Sequence, residues 1–508
     1  MKDESRIILN ALLAHASRIV SMGVAFLMVP YLIGHLGEAA YGVVGISGSI
    51  LGLLVLVEMG VRPATVRQYS SLLFQGEIDR ANAIVSTSMV LYLGLSGVIV
   101  LALVVFGHAF LAAMQVPPEL DSVAWWTLLA AGLALSVNLV TTPYRAALVS
   151  QLRHDIEHYT LMLMTFLRAG LIVATFVVWS ESLLVWGIAT LLSNVVVYFT
   201  VRWKSAQLCP TLRIRTGLAS REAWREISSL GVDTTVAQLS SWVNMQSGSI
   251  IISYFLGAAA VTHYAPVLIL MNALISFSGS FIQQLIPVMT RASGQENFGL
   301  MQRTFVRSTR YSILVSGAGA TWVAAHAGLI VPAWLGAGFE DTANALVIWS
   351  AAVVLRTFTG ASLPVFLGSA RLRGVALFNL ALAVVSLGAA IYMVGATDLG
   401  ILGAAIPALA AQAVRTVVRV VLAARVCRIG LLEFVRLSYG GPSLCLVTVG
   451  AVALGVQQLT ELGTWPELAL SGSLSLVAFA AVGWTIGLTA DDRAKVATYL
   501  RHGLAKFA

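Results

Sequence analysis

The sequence predicts an all-α polytopic membrane protein, and three observations lead to that fold class. Of the 508 residues, 58% are hydrophobic and only 11% are Asp, Glu, Lys or Arg, whereas a soluble globular protein carries about 25% charged residues. Long apolar runs recur along the whole chain, and a membrane-spanning helix needs about 20 such residues. The high apolar content also excludes a disordered chain. With one short connection per span, the chain holds on the order of fourteen spans.

Short polar breaks separate the apolar runs and set the order of the predicted spans. The first run, from Ile7 to about Ile33, is too long for a signal-peptide core and has no cleavage pattern after it, so we expect it to be retained. Stretches with Gly and Pro at 107–124 and 328–342 are typical of turns between spans. The predicted spans are 7–33, 40–62, 83–112, 122–150, 157–180, 182–203, 229–257, 260–290, 303–334, 342–369, 373–396, 400–427, 438–460 and 466–489.

The distribution of basic residues predicts the orientation of these spans. None of the 31 Lys and Arg residues falls in the loops that would lie outside if the N-terminus is cytosolic; these loops are near 34–40, 107–122, 181, 257–260, 335–342, 397–400 and 461–466. This asymmetry is what the positive-inside rule requires. We therefore expect an even number of spans with both termini in the cytosol. The net charge of +8 follows from topology, and no nucleic-acid partner is expected.

A short internal repeat predicts two lobes. Each copy bridges one helix hairpin, spans 1–2 and then spans 7–8, and an even number of spans separates the copies, so the repeats are parallel. The matched pairs are Tyr31 with Tyr254, Gly34 with Gly257, Tyr41 with Tyr264, Pro63 with Pro287 and Arg67 with Arg291. The expected organisation is an N-lobe at 1–203, a cytosolic linker at 204–228, a C-lobe at 229–427 and two further spans with a cytosolic tail at 428–508.

The first hairpin carries a resemblance to a known family. The segment from Val29 to Ser70 reads VPYLIGHLGEAAYGVVGISGSILGLLVLVEMGVRPATVRQYS. It contains a Tyr-hydrophobic-Gly-x-x-Gly pattern from Tyr31, then Tyr41-Gly42, then the acidic-x-Gly pattern Glu58-Met-Gly60. This pattern resembles the Wzx-type polysaccharide and O-antigen flippases of the multidrug/oligosaccharidyl-lipid/polysaccharide (MOP) exporter superfamily. The family commonly has Asp where this chain has Glu58.

The resemblance implies a two-lobed transporter in the shape of an inverted V, with two extra C-terminal helices, in the bacterial cytoplasmic (inner) membrane. The implied substrate is an undecaprenyl-diphosphate-linked oligosaccharide, moved from the cytosolic to the outer leaflet by alternating access. Such units are assembled into O-antigen (lipopolysaccharide), capsule or exopolysaccharide. A polysaccharide polymerase and chain-length proteins are the implied protein partners, beside membrane lipids.

Three arginines near the centres of predicted spans are candidate substrate-binding residues: Arg18 in span 1, Arg168 in span 5 and Arg356 in span 10. An ionised side chain at mid-bilayer costs about 2.5–3.5 kcal/mol. Arginine stays charged and binds phosphate in a bidentate fork, so these residues suit a cavity that passes a diphosphate. The alternative, pairing with a buried acid or a helix end, stays open, although Glu58 and Asp233 are too few to neutralise all three.

Three more arginines, Arg62, Arg145 and Arg415, lie nearer the predicted cytosolic ends. A long cationic side chain there can reach the headgroups while its stem stays in the apolar layer. We therefore interpret them as snorkelling residues.

Polar stripes on helices support a hydrated lumen. Span 8 places Asn272 and Gln283 on one stripe with Ser276 and Ser280, and we take Asn272 and Gln283 as further substrate-binding candidates. In span 5, Thr165 and Arg168 share a face with His158. Hydrogen bonding between neighbouring helices explains such stripes equally well, so both interpretations stay open.

Two acids are candidates for coupling transport to an ion gradient. Glu58 lies near the end of span 2 and Asp233 in the first turns of span 7, and either could bind H⁺ or Na⁺. Asp233 could instead be favoured by the helix dipole, and Glu58 could pair with Arg62 at i+4.

No catalytic residue, metal site or cofactor is predicted. The chain contains no G-x-x-x-x-G-K-[ST] and no H-E-x-x-H motif, and we expect it not to be an enzyme. The cysteines, Cys209, Cys427 and Cys445, lie far apart and suggest neither disulfides nor metal. His154 and His158 have ligand-like spacing, but acids surround them at a predicted helix start, so an interfacial polar cluster is favoured.

Three alternatives to the flippase remain. A lipid II flippase shares the fourteen spans and the cationic cavity. A cation-coupled multidrug antiporter of the same superfamily typically needs an acid in span 1, where this chain has Arg18 and no acid. A membrane-embedded polymerase or ligase usually has a large outside loop with Arg or His, whereas the predicted outside loops here are short and acidic.

Overall fold

The computed structural model describes residues 2–229, 232–369, 371–459, 464–487 and 493. Within helices, the side chains at 2–12, 14–15, 50–51, 53–60, 229, 232–238, 241–242, 244, 277–278, 280–281 and 283 are outside this description. In the described residues every regular element is a helix and none is a strand. The predicted all-α class is confirmed.

The first half of the chain forms long helices joined by tight turns. They are α1 (Lys2–Leu36), α2 (Glu38–Phe74), α3 (Ile78–Ala113), α4 (Pro118–Ser150), α5 (His154–Val178), α6 (Leu183–Leu208), a short helix α7 (Arg221–Ser229), α8 (Val232–Leu256) and α9 (Ala258–Gln283). A single 3₁₀ turn, Thr216–Leu218, precedes α7.

The second half contains more breaks. Its helices are α10 (Ile286–Gly294), α11 (Phe298–Ser312), α12 (Ala318–Ala325), α13 (Ala327–Leu335), α14 (Glu340–Thr357), α15 (Ser362–Gly368), α16 (Leu372–Ala396), α17 (Leu402–Val426), α18 (Leu431–Leu459) and α19 (Thr464–Val482). Two π-helical segments, Ile313–Gly317 and Gly483–Gly487, join α11 to α12 and extend α19.

Ten helices in the described residues are long and apolar enough to cross a membrane, or up to 12 if each of two bent pairs is one span. Helices α2 and α8 occupy the positions of the second and seventh predicted spans without being among those ten. Several helices turn large apolar side chains outward, for example Leu101, Val105 and Phe106 of α3, as lipid-facing helices do. The chain is therefore a multi-pass membrane protein, and the number fourteen stays a prediction.

The two repeated hairpins are present, but their turns are not aligned as the repeat predicts. Both hairpins turn at a glycine with positive φ, Gly37 at 79° between α1 and α2, and Gly257 at 87° between α8 and α9. Only glycine adopts such angles without strain. Gly34, which the repeat pairs with Gly257, lies inside α1. The turn is thus formed by the second glycine of the Gly-x-x-Gly pattern.

Two predicted spans are broken helices. Helices α11–α12 and α13 meet at His326 with a bend of 75°, and α14 and α15 meet with a bend of 45°. In the second break Gly360 has φ 45° and packs on Thr309, where a Cβ atom would lie 2.1 Å from the Thr309 hydroxyl oxygen. Breaks at membrane depth leave polar backbone inside the protein, a feature of transporters at their substrate sites.

The chain divides into two compact units. One comprises the residues up to Ile269 together with Ala383–Ala404, and the other comprises Leu270–Leu382 together with Ala405 onward. In the first unit the closest packing joins α4 to α6 and α3 to α4. The lobe boundaries predicted from sequence follow the chain order and stay a prediction.

Candidate functional site: arginines in two polar regions

A polar seam joins α1 to α5 in the first unit. The Ser17 hydroxyl oxygen lies 3.3 Å from His158 Nδ1, and the Ser21 and Thr165 hydroxyl oxygens are 3.2 Å apart. His158 and Thr165, which lie two turns apart on α5, therefore face α1. Arg168 lies one turn beyond Thr165 on the predicted common face. His158 and Thr165 therefore form hydrogen bonds between helices, which is the alternative interpretation of the polar stripe.

This seam brings two of the predicted arginines onto neighbouring helices. Arg18 follows Ser17 on α1 and interacts electrostatically with His158. Arg168 follows Thr165 by one turn, is half-buried, and has no hydrogen bond or ion pair with any described residue. Its positive charge is therefore uncompensated within the described part of the chain.

The start of α5 is an ion-pair cluster. Arg62 of α2 donates a hydrogen bond to the Glu157 carboxylate, and Arg153 forms a fork to Asp155 with N–O distances of 2.9 and 2.8 Å. A carboxylate from α5 thus binds the guanidinium of Arg62, and the snorkelling of Arg62 stays a prediction. No group of three or more His, Cys, Asp or Glu side chains that could hold a metal ion occurs in the described residues.

A second polar region lies in the other unit, where α14 ends beside α17. Arg356 is in the last turn of α14 and is exposed. Arg415 and Arg419 lie one turn apart on α17, and their charges and that of Arg356 repel one another. We call these three residues the arginine triad. None of them forms an ion pair with a described residue.

The predicted snorkelling of Arg415 is wrong. Only 8% of this residue is exposed, and its Nη1 donates to the Gln412 side-chain oxygen at 3.1 Å. Its Nε and Nη2 are buried without a hydrogen-bond partner among the described residues. The side chain lies near the middle of α17, about 20 Å from its first residue and about 16 Å from its last at 1.5 Å per residue, so the headgroups are out of reach.

Of the remaining candidates, only Asn272 has its side chain in the described part of the structure. Asn272 of α9 is exposed, and its backbone oxygen accepts a hydrogen bond from Ser276, 2.7 Å away. The side chains of Gln283, Glu58 and Asp233 lie outside the described part of the structure, and so their predicted roles in substrate binding and coupling stay predictions.

Guanidinium groups without a carboxylate partner have the chemistry to bind an anion. Each arginine buried in a membrane helix costs about 2.5–3.5 kcal/mol, and the C-terminal dipole of α14 returns only about 0.3–1 kcal/mol to Arg356. A bound phosphate or carboxylate would lower this cost by charge-assisted hydrogen bonds.

Two features of these regions are not among the sequence candidates. One is Arg419, although Arg415 and Arg419 at i and i+4 in an apolar helix mark one cationic face. The other is the pairing of Glu157 with Arg62, which no local pattern indicates because the two are distant in sequence.

Residues 7–293 match the polysaccharide biosynthesis protein family. A relative from Bacillus subtilis (strain 168), described as the uncharacterized membrane protein EpsK, is 22% identical over 484 residues, which is 94% of each chain.

Solved transporter structures share the fold. An inward-facing multidrug resistance MATE family transporter of the MOP superfamily has a TM-score of 0.70 and 17% identity, with 81% of this chain and 94% of that chain covered. The lipid II flippase MurJ in an inward closed conformation has a TM-score of 0.67 and 11% identity, with 94% of this chain and 98% of that chain covered. The chain therefore has the fold of the MOP-superfamily transporters and belongs to the polysaccharide biosynthesis protein family.

Proposed function

We propose that this chain is a flippase that moves an undecaprenyl-diphosphate-linked oligosaccharide from the cytosolic to the outer leaflet by alternating access. The observation that carries the proposal is a set of membrane-helix arginines without a carboxylate partner among the described residues: Arg168, Arg356, Arg415 and Arg419. A diphosphate is the group that fixed guanidinium charges bind best. Membership of a polysaccharide biosynthesis family supports a sugar as the cargo of that diphosphate.

The test is transport of a fluorescent lipid-diphosphate oligosaccharide in proteoliposomes. Arg168→Ala and Arg18→Ala should each lower the transport rate at least about tenfold, the loss expected for one charge-assisted hydrogen bond. Lysine at either position should restore part of the rate, because charge returns without the bidentate fork.

Arg202→Ala is the matched control, since Arg202 is exposed at the end of α6 and donates to the Tyr198 hydroxyl, 3.2 Å away. Its transport rate should stay within about twofold of the wild type. Normal transport by the Arg168→Ala and Arg18→Ala variants would make these arginines structural. Transport of lipid II in the same vesicles tests the alternative substrate, which has the same diphosphate but different sugars.

We further propose that H⁺ or Na⁺ drives the cycle through Asp233 or Glu58, since these two acids lie within helices and the sequence offers no nucleotide site. With an imposed gradient, Asp233→Asn should lose the gradient dependence and keep substrate binding. Unchanged coupling in that variant, with coupling lost in Glu58→Gln, would move the assignment to the first half of the chain.

The chain would then serve a pathway in the bacterial inner membrane, beside a polysaccharide polymerase and chain-length proteins. Co-purification with those proteins from mild detergent is the direct measurement of that partnership.

A further inference from the structure

The arginine triad lies at a break in the membrane region. Arg356 is in the last turn of α14, directly before the bend that separates α14 from α15. Arg415 and Arg419 face this end of α14 from α17, about 6 Å apart along the helix axis. The three residues belong to one compact unit, so their juxtaposition is a property of that unit alone.

A chain of hydrogen bonds holds Arg415 in place beside α14. The Thr416 hydroxyl donates to the Leu355 carbonyl oxygen at 3.0 Å and thereby joins α17 to the end of α14. The Gln412 side-chain nitrogen donates to the Thr416 hydroxyl at 3.2 Å, and the Gln412 oxygen accepts from Arg415 at 3.1 Å. The guanidinium of Arg415 is thus positioned before any ligand arrives, which lowers the entropic cost of binding.

The charge of the triad has no acidic counterpart among the described residues of the same unit. Its described acids lie at helix starts and in connections, away from the middle of α17: Glu296, Glu340, Asp341, Glu433 and Glu467. None of them forms an ion pair with a triad residue. Repulsion among the three cations adds to the burial cost. An anion with two or more negative charges would offset both the repulsion and the burial cost.

We propose that the arginine triad is a phosphoryl-binding site, in which Arg356 and Arg419 contact the phosphate oxygens and Arg415 contributes fixed charge from behind. This division follows from accessibility, because Arg356 is exposed and Arg419 is half-buried with only its Nε enclosed, whereas both Nε and Nη2 of Arg415 are enclosed. Two guanidinium forks match the oxygens of a diphosphate. Assignment of the bound group to a lipid diphosphate, as opposed to a free phosphate, rests on the proposed function.

The first experiment measures binding of inorganic pyrophosphate to the full chain in nanodiscs by isothermal titration calorimetry. Arg356→Gln and Arg419→Gln should each weaken binding about tenfold or more, and Arg419→Lys should lose less than Arg419→Gln. Arg303→Gln is the matched control, an exposed arginine of α11 in the same unit whose Nε donates to the Gly299 oxygen. It should stay within about twofold of the wild type.

Pyrophosphate that fails to bind the wild type, or that binds all variants equally, would overturn the proposal. Arg356 is exposed, so its variant keeps the test decisive even if substitution of Arg419 impairs folding. Helical content and melting temperature check each variant.

The second experiment identifies the source by transport of the lipid-linked oligosaccharide. Loss of both pyrophosphate binding and transport in the triad variants assigns the site to the lipid diphosphate. Loss of pyrophosphate binding with normal transport assigns it to a free phosphate and leaves the proposed flippase intact. Failure of the wild type to transport any lipid-linked sugar, with pyrophosphate binding retained, would refute the proposed function and leave the phosphoryl site.

Discussion

At the scale of single residues, Gly42 shows how tightly α2 meets α9. A Cβ atom at Gly42 would lie 1.8 Å from the backbone oxygen of Ala258, far inside contact distance. Because the obstacle is backbone, Gly42→Ala must push the helices apart, and overpacking of this kind costs about 1–3 kcal/mol. We expect the melting temperature in detergent to fall by about 2 °C or more.

Gly48→Ala is the control for that substitution. Gly48 lies on the same helix with nothing within 4 Å of its Cβ position, and alanine is favoured over glycine inside helices by about 1 kcal/mol. The melting temperature should hold or rise. Equal destabilisation by both substitutions would show that α2 accepts alanine at neither glycine. The contact with Ala258 would then not explain the loss of stability in Gly42→Ala.

The cysteines give a residue-scale prediction about reactivity. Cys209 and Cys427 follow the ends of α6 and α17 and are 1% and 0% exposed. Burial raises the pKa of the Cys209 thiol to about 11 and that of Cys427 to about 12, so the thiolate fraction at pH 7 is on the order of 10⁻⁴ or less.

N-ethylmaleimide should therefore leave the native protein unlabelled at pH 7, as intact-protein mass spectrometry would report. Labelling should rise after denaturation. Full labelling of the native protein at pH 7, as fast as in the denatured protein, would contradict the burial of these thiols.

Candidate site residues could be chosen from the sequence, but their partners could not. A charge inside an apolar run is visible in the sequence, so Arg168 and Arg356 stand out. The pairing of Arg62 with Glu157 depends on how α2 packs against α5, which no local pattern encodes. Burial of Arg415 likewise depends on α14 and on the Thr416 hydrogen bond to it.

At the scale of elements, the predicted cytosolic linker at 204–228 is docked on the first unit. The Asn82 side chain donates to the Thr211 oxygen at 3.0 Å and accepts from the Arg213 nitrogen at 2.9 Å. Farther on, helix α7 buries Ala223 and Ile227 against α2 and α3. The polar composition of the segment predicts a connection. Its docking on α3 depends on polar side chains of that helix, such as Asn82.

Loss of the two Asn82 hydrogen bonds should release the linker from α3. Asn82 is 3% exposed, and Asn82→Ala leaves two backbone groups without their partner, at about 1–2 kcal/mol. Trypsin cleavage at Arg213 and Arg215 should accelerate about 5–30-fold, the change in open population for that energy, as followed by gel and mass spectrometry in detergent.

Asn297→Ala is the matched control, because Asn297 caps α11 in the other unit by accepting from the Leu300 nitrogen at 3.0 Å. It should leave cleavage at Arg213 unchanged. Equal acceleration by both substitutions would indicate general unfolding instead of release of the linker.

The breaks in α11–α13 and α14–α15 are elements that periodicity did not reveal. Each break lies within one predicted span, and apolar content alone does not distinguish a straight helix from a bent one. The bends follow from tertiary packing, as with Gly360 against Thr309, and they position Arg356 beside α17.

At the scale of the whole molecule, composition was sufficient for the fold class because the membrane restricts the choice. Backbone groups in lipid must be satisfied within the chain, so a chain with 11% charged residues and repeated apolar runs folds as helices. Contacts between residues far apart in sequence, such as those around the arginine triad, are not restricted in this way and required the structure.

The orientation of the molecule is the last prediction. All 31 basic residues avoid the predicted outside loops, so we expect Glu340 outside and Arg215 in the cytosol. Both side chains are exposed, and a cysteine at either position should react with a maleimide wherever the reagent can reach it. In intact cells, an impermeant maleimide should label Glu340→Cys and not Arg215→Cys, whereas permeabilised cells should show both labelled. The three native thiols are buried, so their background should be low. External labelling of Arg215→Cys would reverse the orientation and place the linker, α7 and the arginine-rich loops on the outer side.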